Sequence, residues 1–153
     1  VNLRSAVTAT RAALPGLIAV GGRIGVLSSV SGFSPLLYRT AYAASKHALH
    51  GFFESLRAEL VDDGVTVTMI CPSFVETGIE ERAVHRGSGI SGTWTTTGKV
   101  ISTDHLADLI YRAMDRRARL VLPGATARLA YVLSRLSPAL YERMMRRRIG
   151  RSE

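Results

Sequence analysis

The runs Arg23-Ile24-Gly25-Val26-Leu27-Ser28-Ser29, Tyr42-Ala43-Ala44-Ser45-Lys46 and Val65-Thr66-Val67-Thr68-Met69-Ile70-Cys71 decide the fold. The first is a short apolar run after the turn-forming pair Gly21-Gly22, of the kind buried in parallel sheets. From Ala41 to about Leu60, Ala44, Ala48, Leu49, Phe52, Leu56 and Leu60 recur at three- and four-residue spacing. That spacing predicts a long helix stopping near Asp63-Gly64. The third run predicts a second strand, ended by Pro72. Strand, helix and strand in this order predict a right-handed βαβ unit in a parallel sheet.

Upstream, Leu3, Val7, Thr10/Arg11 and Leu14 give a partial helical spacing. Val1–Leu14 therefore reads as the tail of a helix ended by Pro15-Gly16. Downstream, Ser73 to Ser102 is rich in Gly, Ser and Thr, with Trp94 isolated among threonines. It reads as a loop, with one short helix around Glu80 to His85. Thr103 or Ser102 can cap the next helix, whose buried stripe is Leu106, Ile110, Ala113 and Met114. Leu120-Val121-Leu122 predicts a short strand. Two helices follow, Ala125 to Ser137 and Pro138 to about Arg148, with Pro138 suited to a first turn.

The chain has 153 residues, 46% of them hydrophobic, and a formal net charge of +8. It is too apolar for disorder, and its apolar runs are too short for a membrane helix. A single cysteine excludes an internal disulfide and any multi-cysteine zinc site, which leaves a reducing compartment as the default. His47, His50, His85 and His105 have no ligand spacing, so no metal site is expected. The charge is uneven. Nine bases face nine acids up to Tyr111, whereas eleven arginines from Arg112 onward face Asp115, Glu142 and Glu153 alone. The whole excess belongs to the tail.

Tyr42 and Lys46 stand four apart, on one face of the predicted helix. A cation near a phenol favours the phenolate and lowers a pKa that starts near ~10. An i, i+4 Tyr–Lys pair is also what any amphipathic edge supplies. The surroundings give it weight. Ser29 ends a buried strand, and the next strand delivers Cys71-Pro72-Ser73-Phe74-Val75-Glu76-Thr77. In a parallel α/β sheet, sites form at the carboxyl ends of strands, so three segments converge on one rim.

These elements, Asn2-Leu3, Gly22 to Ser29, Ala41-Tyr42-Ala43-Ala44-Ser45-Lys46-His47-Ala48 and Pro72-Ser73-Phe74-Val75-Glu76-Thr77, resemble the short-chain dehydrogenase/reductase family in order and spacing. The resemblance covers at least Val1 to Thr77. It implies a Rossmann-like, doubly wound parallel α/β sheet with the N-terminal βα units absent from this chain. Residues 1–124 would be the C-terminal part of that catalytic domain, and 125–153 an Arg-rich amphipathic helical extension.

The resemblance also implies roles. Tyr42 is expected to be the acid/base, Ser29 to polarise the reacting oxygen, Lys46 to contact the nicotinamide ribose and lower the Tyr42 pKa, and Asn2 to hold a relay water. Pro72, Val75 and Thr77 are expected to border the cofactor, NAD or NADP. Ser73 stands where the family usually has glycine, Ser28 is an alternative to Ser29, and Tyr38 is a decoy four residues before Tyr42. The expected reaction interconverts a ketone and a secondary alcohol by hydride transfer. A lipophilic substrate of steroid, retinoid or fatty-acyl type is expected. The alternative is a non-catalytic scaffold or interaction protein.

The family's glycine-rich phosphate turn and coenzyme selector are missing from the sequence, so the chain reads as a fragment that is inactive by itself. A homodimer or homotetramer packed through Val1–Leu14 and Ala41–Leu60 is the family expectation. The tail sets Leu129, Val132, Leu133, Leu136, Leu140, Met144 and Met145 among arginines. It suits peripheral contact with an anionic bilayer, a cover for the substrate pocket, or a partner subunit. No base-reading motif accompanies those arginines, so nucleic acid is not expected, and the location reads as cytoplasmic with possible peripheral membrane contact.

Overall fold

The computed structural model describes residues 2–76 and 100–149. Thr77, Trp94 and the helix expected around Glu80 to His85 lie outside the described residues. Helix α1 spans Asn2–Val20, strand β1 Arg23–Leu27, a 3-10 turn Val30–Gly32, helix α2 Thr40–Glu59 and strand β2 Thr66–Ile70. Helix α3 (Thr103–Asp115), strand β3 (Leu120–Val121) and helices α4 (Gly124–Leu136) and α5 (Pro138–Ile149) follow. The strands form one parallel sheet in the order β1-β2-β3, with Arg23 opposite Thr66, Leu27 opposite Ile70 and Ile70 opposite Val121. Parallel neighbours need a long crossover, and α2 and α3 lie in the connections that supply it.

β2 is the central strand, and its alternation divides the core. Val67, Met69 and Cys71 join Val26, Leu49 and Phe53 beneath α1 and α2, whereas Ile70 joins Ile101 and Leu106 under α3. β2 is buried on both faces, as strands of parallel sheets are. Of its two threonines, Thr68 Oγ1 donates to the Ala118 carbonyl at 2.6 Å, whereas Thr66 Oγ1 is buried without a hydrogen-bond partner. Gly25 in β1 lets α3 approach, because a Cβ there would lie 2.7 Å from Met114 Sδ.

Two expectations are corrected. The first concerns the end of α1, which runs through Pro15 to Val20. Proline removes one helical hydrogen bond and crowds the carbonyl four residues back. Here Arg11, Ala12 and Ala13 are exposed, so water can take up the freed carbonyls. The real stop is the glycine pair. Gly21 adopts φ +56, its N–H donates to the Ile18 carbonyl, and the Gly22 N–H donates to the Leu17 carbonyl, a Schellman closure.

The second correction concerns the inner face of α2. Leu49, His50 and Phe53 are its buried residues, while Ala44 faces out and Phe52 is 38% exposed. Both phenylalanines fit a helical spacing, and contact with β1 and β2 selects Phe53. Ser102 proves to be the cap of α3, its Oγ accepting from the His105 N–H.

Truncating the buried ring therefore costs far more than truncating its neighbour. Phe53→Ala is expected to lose about 3–5 kcal/mol in urea unfolding, and Phe52→Ala less than half as much. Equal losses would contradict the assigned face.

Candidate active site at the carboxyl edge of the sheet

The site begins where β1 ends. The ladder continues one residue past the strand, with the Ser28 N–H on the Ile70 carbonyl, and the Val30 N–H then reaches the Pro72 carbonyl at 3.2 Å. The chain ends leaving β1 and β2 are thus tied together. Ser29 has extended backbone and caps the 3-10 turn, its Oγ accepting from the Ser31 N–H at 3.3 Å. It is 8% exposed. Ser28 Oγ is buried against the Cys71 thiol without a well-formed hydrogen bond. A Cβ on Gly32 would lie 2.5 Å from it, so Ser28 is shut in under the turn. The two serines face different surroundings, and Ser29 belongs to the turn itself.

Helix α2 brings the second group. Tyr42 lies in its first turn and is 38% exposed, and Lys46 Nζ lies 5.8 Å from the centre of its ring. Lys46 Nζ donates to the Leu27 carbonyl at 3.1 Å, fixing the helix to the end of β1 two residues before Ser29. Burial lowers the Lys46 pKa from 10.5, partly opposed by Cys71. Tyr38 is 87% exposed, at φ +59 in the loop before α2, and so lies off the helix face that Tyr42 shares with Lys46. Asn2, on α1, donates through Nδ2 to Ser45 Oγ at 3.3 Å, and Ser45 Oγ donates to the Tyr42 carbonyl at 2.7 Å.

The structure therefore joins Asn2, Tyr42 and Lys46 through α2, and Lys46 to the strand end that leads into Ser29. Among the described residues, Ser29 and Tyr42 make no hydrogen bond to each other. Pro72 is buried beside the turn, and Val75 bridges Ile101 on the other side of the sheet end. A groove of about 310 Å³ runs beside β1, lined by Asn2, Ile24, Leu27 and Lys46 among others. Among the described residues, no three His, Cys, Asp or Glu side chains are grouped as a metal site, and no helix is long and apolar enough to cross a membrane.

Sequence reasoning missed a buried group below this rim. His50 Nδ1 lies 3.1 Å from Glu54 Oε1, and His50 Nε2 lies 3.4 Å from Cys71 Sγ. The signal was present, because Tyr42, Lys46, His50 and Glu54 continue one four-residue spacing along α2. The tail helices also reach this region. Ser34 Oγ is hydrogen-bonded to the Tyr141 hydroxyl at 3.1 Å and to the Val30 carbonyl at 2.9 Å. Phe33 packs edge-on against both Tyr131 and His50, so α4 and α5 close over the turn rather than trailing from the body.

Comparison with known proteins identifies the family. The family model described as short chain dehydrogenase matches residues 1–86, and the chain belongs to that family. The chain is 35% identical over 156 residues to a dehydrogenase/reductase SDR family protein 7-like of Drosophila melanogaster, covering 100% of this chain and 48% of that protein. It is 36% identical over 160 residues to dehydrogenase/reductase SDR family member 7B of Danio rerio, covering 99% and 52%. The chain thus spans about half the length of the curated relatives it matches. Among solved structures, a short-chain dehydrogenase from Sphingobium yanoikuyae in complex with NADPH aligns with TM-score 0.68 and 28% identity, covering 86% of this chain and 50% of that one. One from Burkholderia cenocepacia in complex with NADP aligns with TM-score 0.79 at 22% identity, over 95% and 56%, a likeness of fold.

Cys71 is fully buried, and burial pushes its thiol up to about 12, with Ser28 and Lys46 opposing the shift. It should behave as an inert thiol. Ellman's reagent at pH 8 is expected to find no reactive thiol in the native protein and one after denaturation. Rapid native reaction would contradict this packing.

Proposed function

We propose that this chain carries the catalytic half of an NAD(P)-dependent oxidoreductase that interconverts a ketone and a secondary alcohol. The observation that carries the reading is the Tyr42–Lys46 pair, anchored through Lys46 to the Leu27 carbonyl at the strand end that leads into Ser29. Lys46 has three donors and, among the described residues, uses one on the protein, which leaves two for the hydroxyls of a nicotinamide ribose. The residues thus fit the nicotinamide end of the cofactor, which would supply hydride. Lys46, Tyr42, Pro72 and Val75 would hold that end, and Thr77 is expected beside them.

In the reductive direction, Tyr42 Oη donates its proton to the carbonyl oxygen as negative charge develops there. The Ser29 hydroxyl turns from Ser31 to donate a hydrogen bond to the same oxygen. Lys46, half-buried, places its ammonium 5.8 Å from the centre of the Tyr42 ring, so a positive charge faces the group that gives up the proton. Asn2 steadies α2 through Ser45 and would hold the water that passes the proton onward. In the oxidative direction the same groups work in reverse, with Tyr42 taking the proton from the alcohol.

The diphosphate end of the cofactor needs a glycine-rich turn, and the chain's sequence has none in the family pattern. The open edge of β1 supports the reading that further chain completes the site. Leu27 is 55% exposed there, and the groove beside it is flanked by α1 and α2. A lipophilic substrate is the finer reading. It draws on Leu129, Val132, Leu136 and Leu140, exposed on helices that pack over the Ser29 turn.

Tyr42→Phe keeps the ring and deletes the proton. In the full-length protein it is expected to lower turnover at least about 100-fold, and to weaken cofactor binding by no more than the about 10-fold that one lost hydrogen bond costs. Near-wild-type hydride transfer would refute the acid/base role.

A further inference from the structure

We propose that His50 is a positioning residue of this site, its imidazole fixing the Ser29 turn and the end of β2 to the helix that carries Tyr42 and Lys46. The inference rests on the roles proposed above for those three residues. It starts from contacts that a core histidine does not need. On one side, the Glu54 carboxylate holds Nδ1 at 3.1 Å, one helical turn further along α2. On the other, Nε2 faces Cys71 Sγ at 3.4 Å, at the residue where β2 becomes the Pro72 segment. Above lies the turn. A Cβ on Gly32 would come within 2.6 Å of His50 Cδ2 and 2.7 Å of Nε2, so the glycine backbone rests directly on the ring. Phe33, the next residue, meets the same ring edge-on at 6.1 Å between centroids.

These contacts fix the tautomer. The Cys71 thiol keeps its proton, so it donates S–H to Nε2, and Nδ1 must then carry the hydrogen donated to Glu54. The neutral imidazole is the form that satisfies both partners. Protonation would put a hydrogen on Nε2, so the thiol could no longer donate there and would have to turn its S–H away and accept as the weak acceptor that sulfur is. Burial lowers the His50 pKa from 6.5, opposed by the Glu54 hydrogen bond and charge and reinforced by His47 and Arg135. Because the folded value lies below the unfolded one, the stabilisation is present above pH 6.5 and is lost as pH falls through the folded pKa. The imidazole–thiol bond sits directly beneath the Ser29 turn. Acid should therefore loosen the turn before it unfolds the protein.

The alternative is that His50 merely fills space. Shape and positioning are separable, because His50→Phe keeps a ring but neither hydrogen bond, whereas His50→Gln keeps a polar group that can reach Cys71 but cannot titrate. The experiment measures single-turnover hydride transfer, cofactor affinity and pH dependence in the full-length protein, with Tyr42→Phe alongside. His50→Phe is expected to slow hydride transfer about 10- to 100-fold with cofactor affinity within about 2-fold. His50→Gln is expected to recover part of that rate and to lack the acid-side fall in kcat that the wild type is expected to show below pH 6.5. A wild-type rate in His50→Phe, or an unchanged acid limb in His50→Gln, overturns the proposal. If Tyr42→Phe abolishes hydride transfer while the His50 variants are silent, only the positioning role fails. If Tyr42→Phe is silent too, the catalytic reading falls with it.

Discussion

The hydrogen bond from Lys46 Nζ to the Leu27 carbonyl is the constraint on which the rest of the site depends. It takes a strand-end carbonyl and sets the helix against the sheet at the level of the Ser29 turn. Half burial of the ammonium makes the bond matter more, since a charge removed from water costs free energy until it is partnered. Tyr42 inherits its place from this anchor, one turn up the same helix. Below it, the same face carries His50 and Glu54, so α2 supplies both the reacting groups and the polar support beneath the turn. The central strand β2 makes this possible by burying both its faces and holding Cys71 and Pro72 at the same rim.

Much of this architecture was legible in the sequence because the decisive elements are punctuated. Gly21-Gly22 and Gly64 bracket β1, α2 and β2, and each break is a positive-φ or close-approach position that only glycine fills easily. The Tyr42 and Lys46 spacing is a local property of a helix and needed no tertiary information. What failed was whatever tertiary contact decides. Pro15 is a strong breaker in a sequence, yet solvent exposure on that side of α1 let the helix continue to its glycine stop. Phe52 and Phe53 both fit an amphipathic pattern, and only the position of β1 and β2 chooses between them. Ser28 and Ser29 could not be separated by spacing to Lys46 alone. In the structure, Ser28 is sealed beneath Gly32 while Ser29 caps the turn.

The Arg-rich tail changes meaning in the same way. Its net charge suggested a surface role, but its buried members are uncharged: Ala127, Ala130 and Tyr141 face inward. Through Tyr131 and Tyr141 it bears on Phe33 and Ser34, the residues that follow the turn. Arg128, Arg135, Arg143, Arg146 and Arg147 are the outer side of a segment whose inner side braces the candidate site. Arg135 stacks on the Tyr131 ring at 4.9 Å, so part of the charge itself contributes to that packing.

The central claim is that the carboxyl edge formed by Ser29, Tyr42, Lys46 and Pro72 receives the reacting end of a nicotinamide cofactor. The most direct measurement is a crystal structure of the full-length protein with NADPH or NADH bound. The nicotinamide ribose is expected within hydrogen-bonding distance of Lys46 Nζ and Tyr42 Oη, with the nicotinamide ring bordered by Pro72 and Val75. A cofactor bound elsewhere, with Lys46 still committed to the Leu27 carbonyl alone, would contradict it.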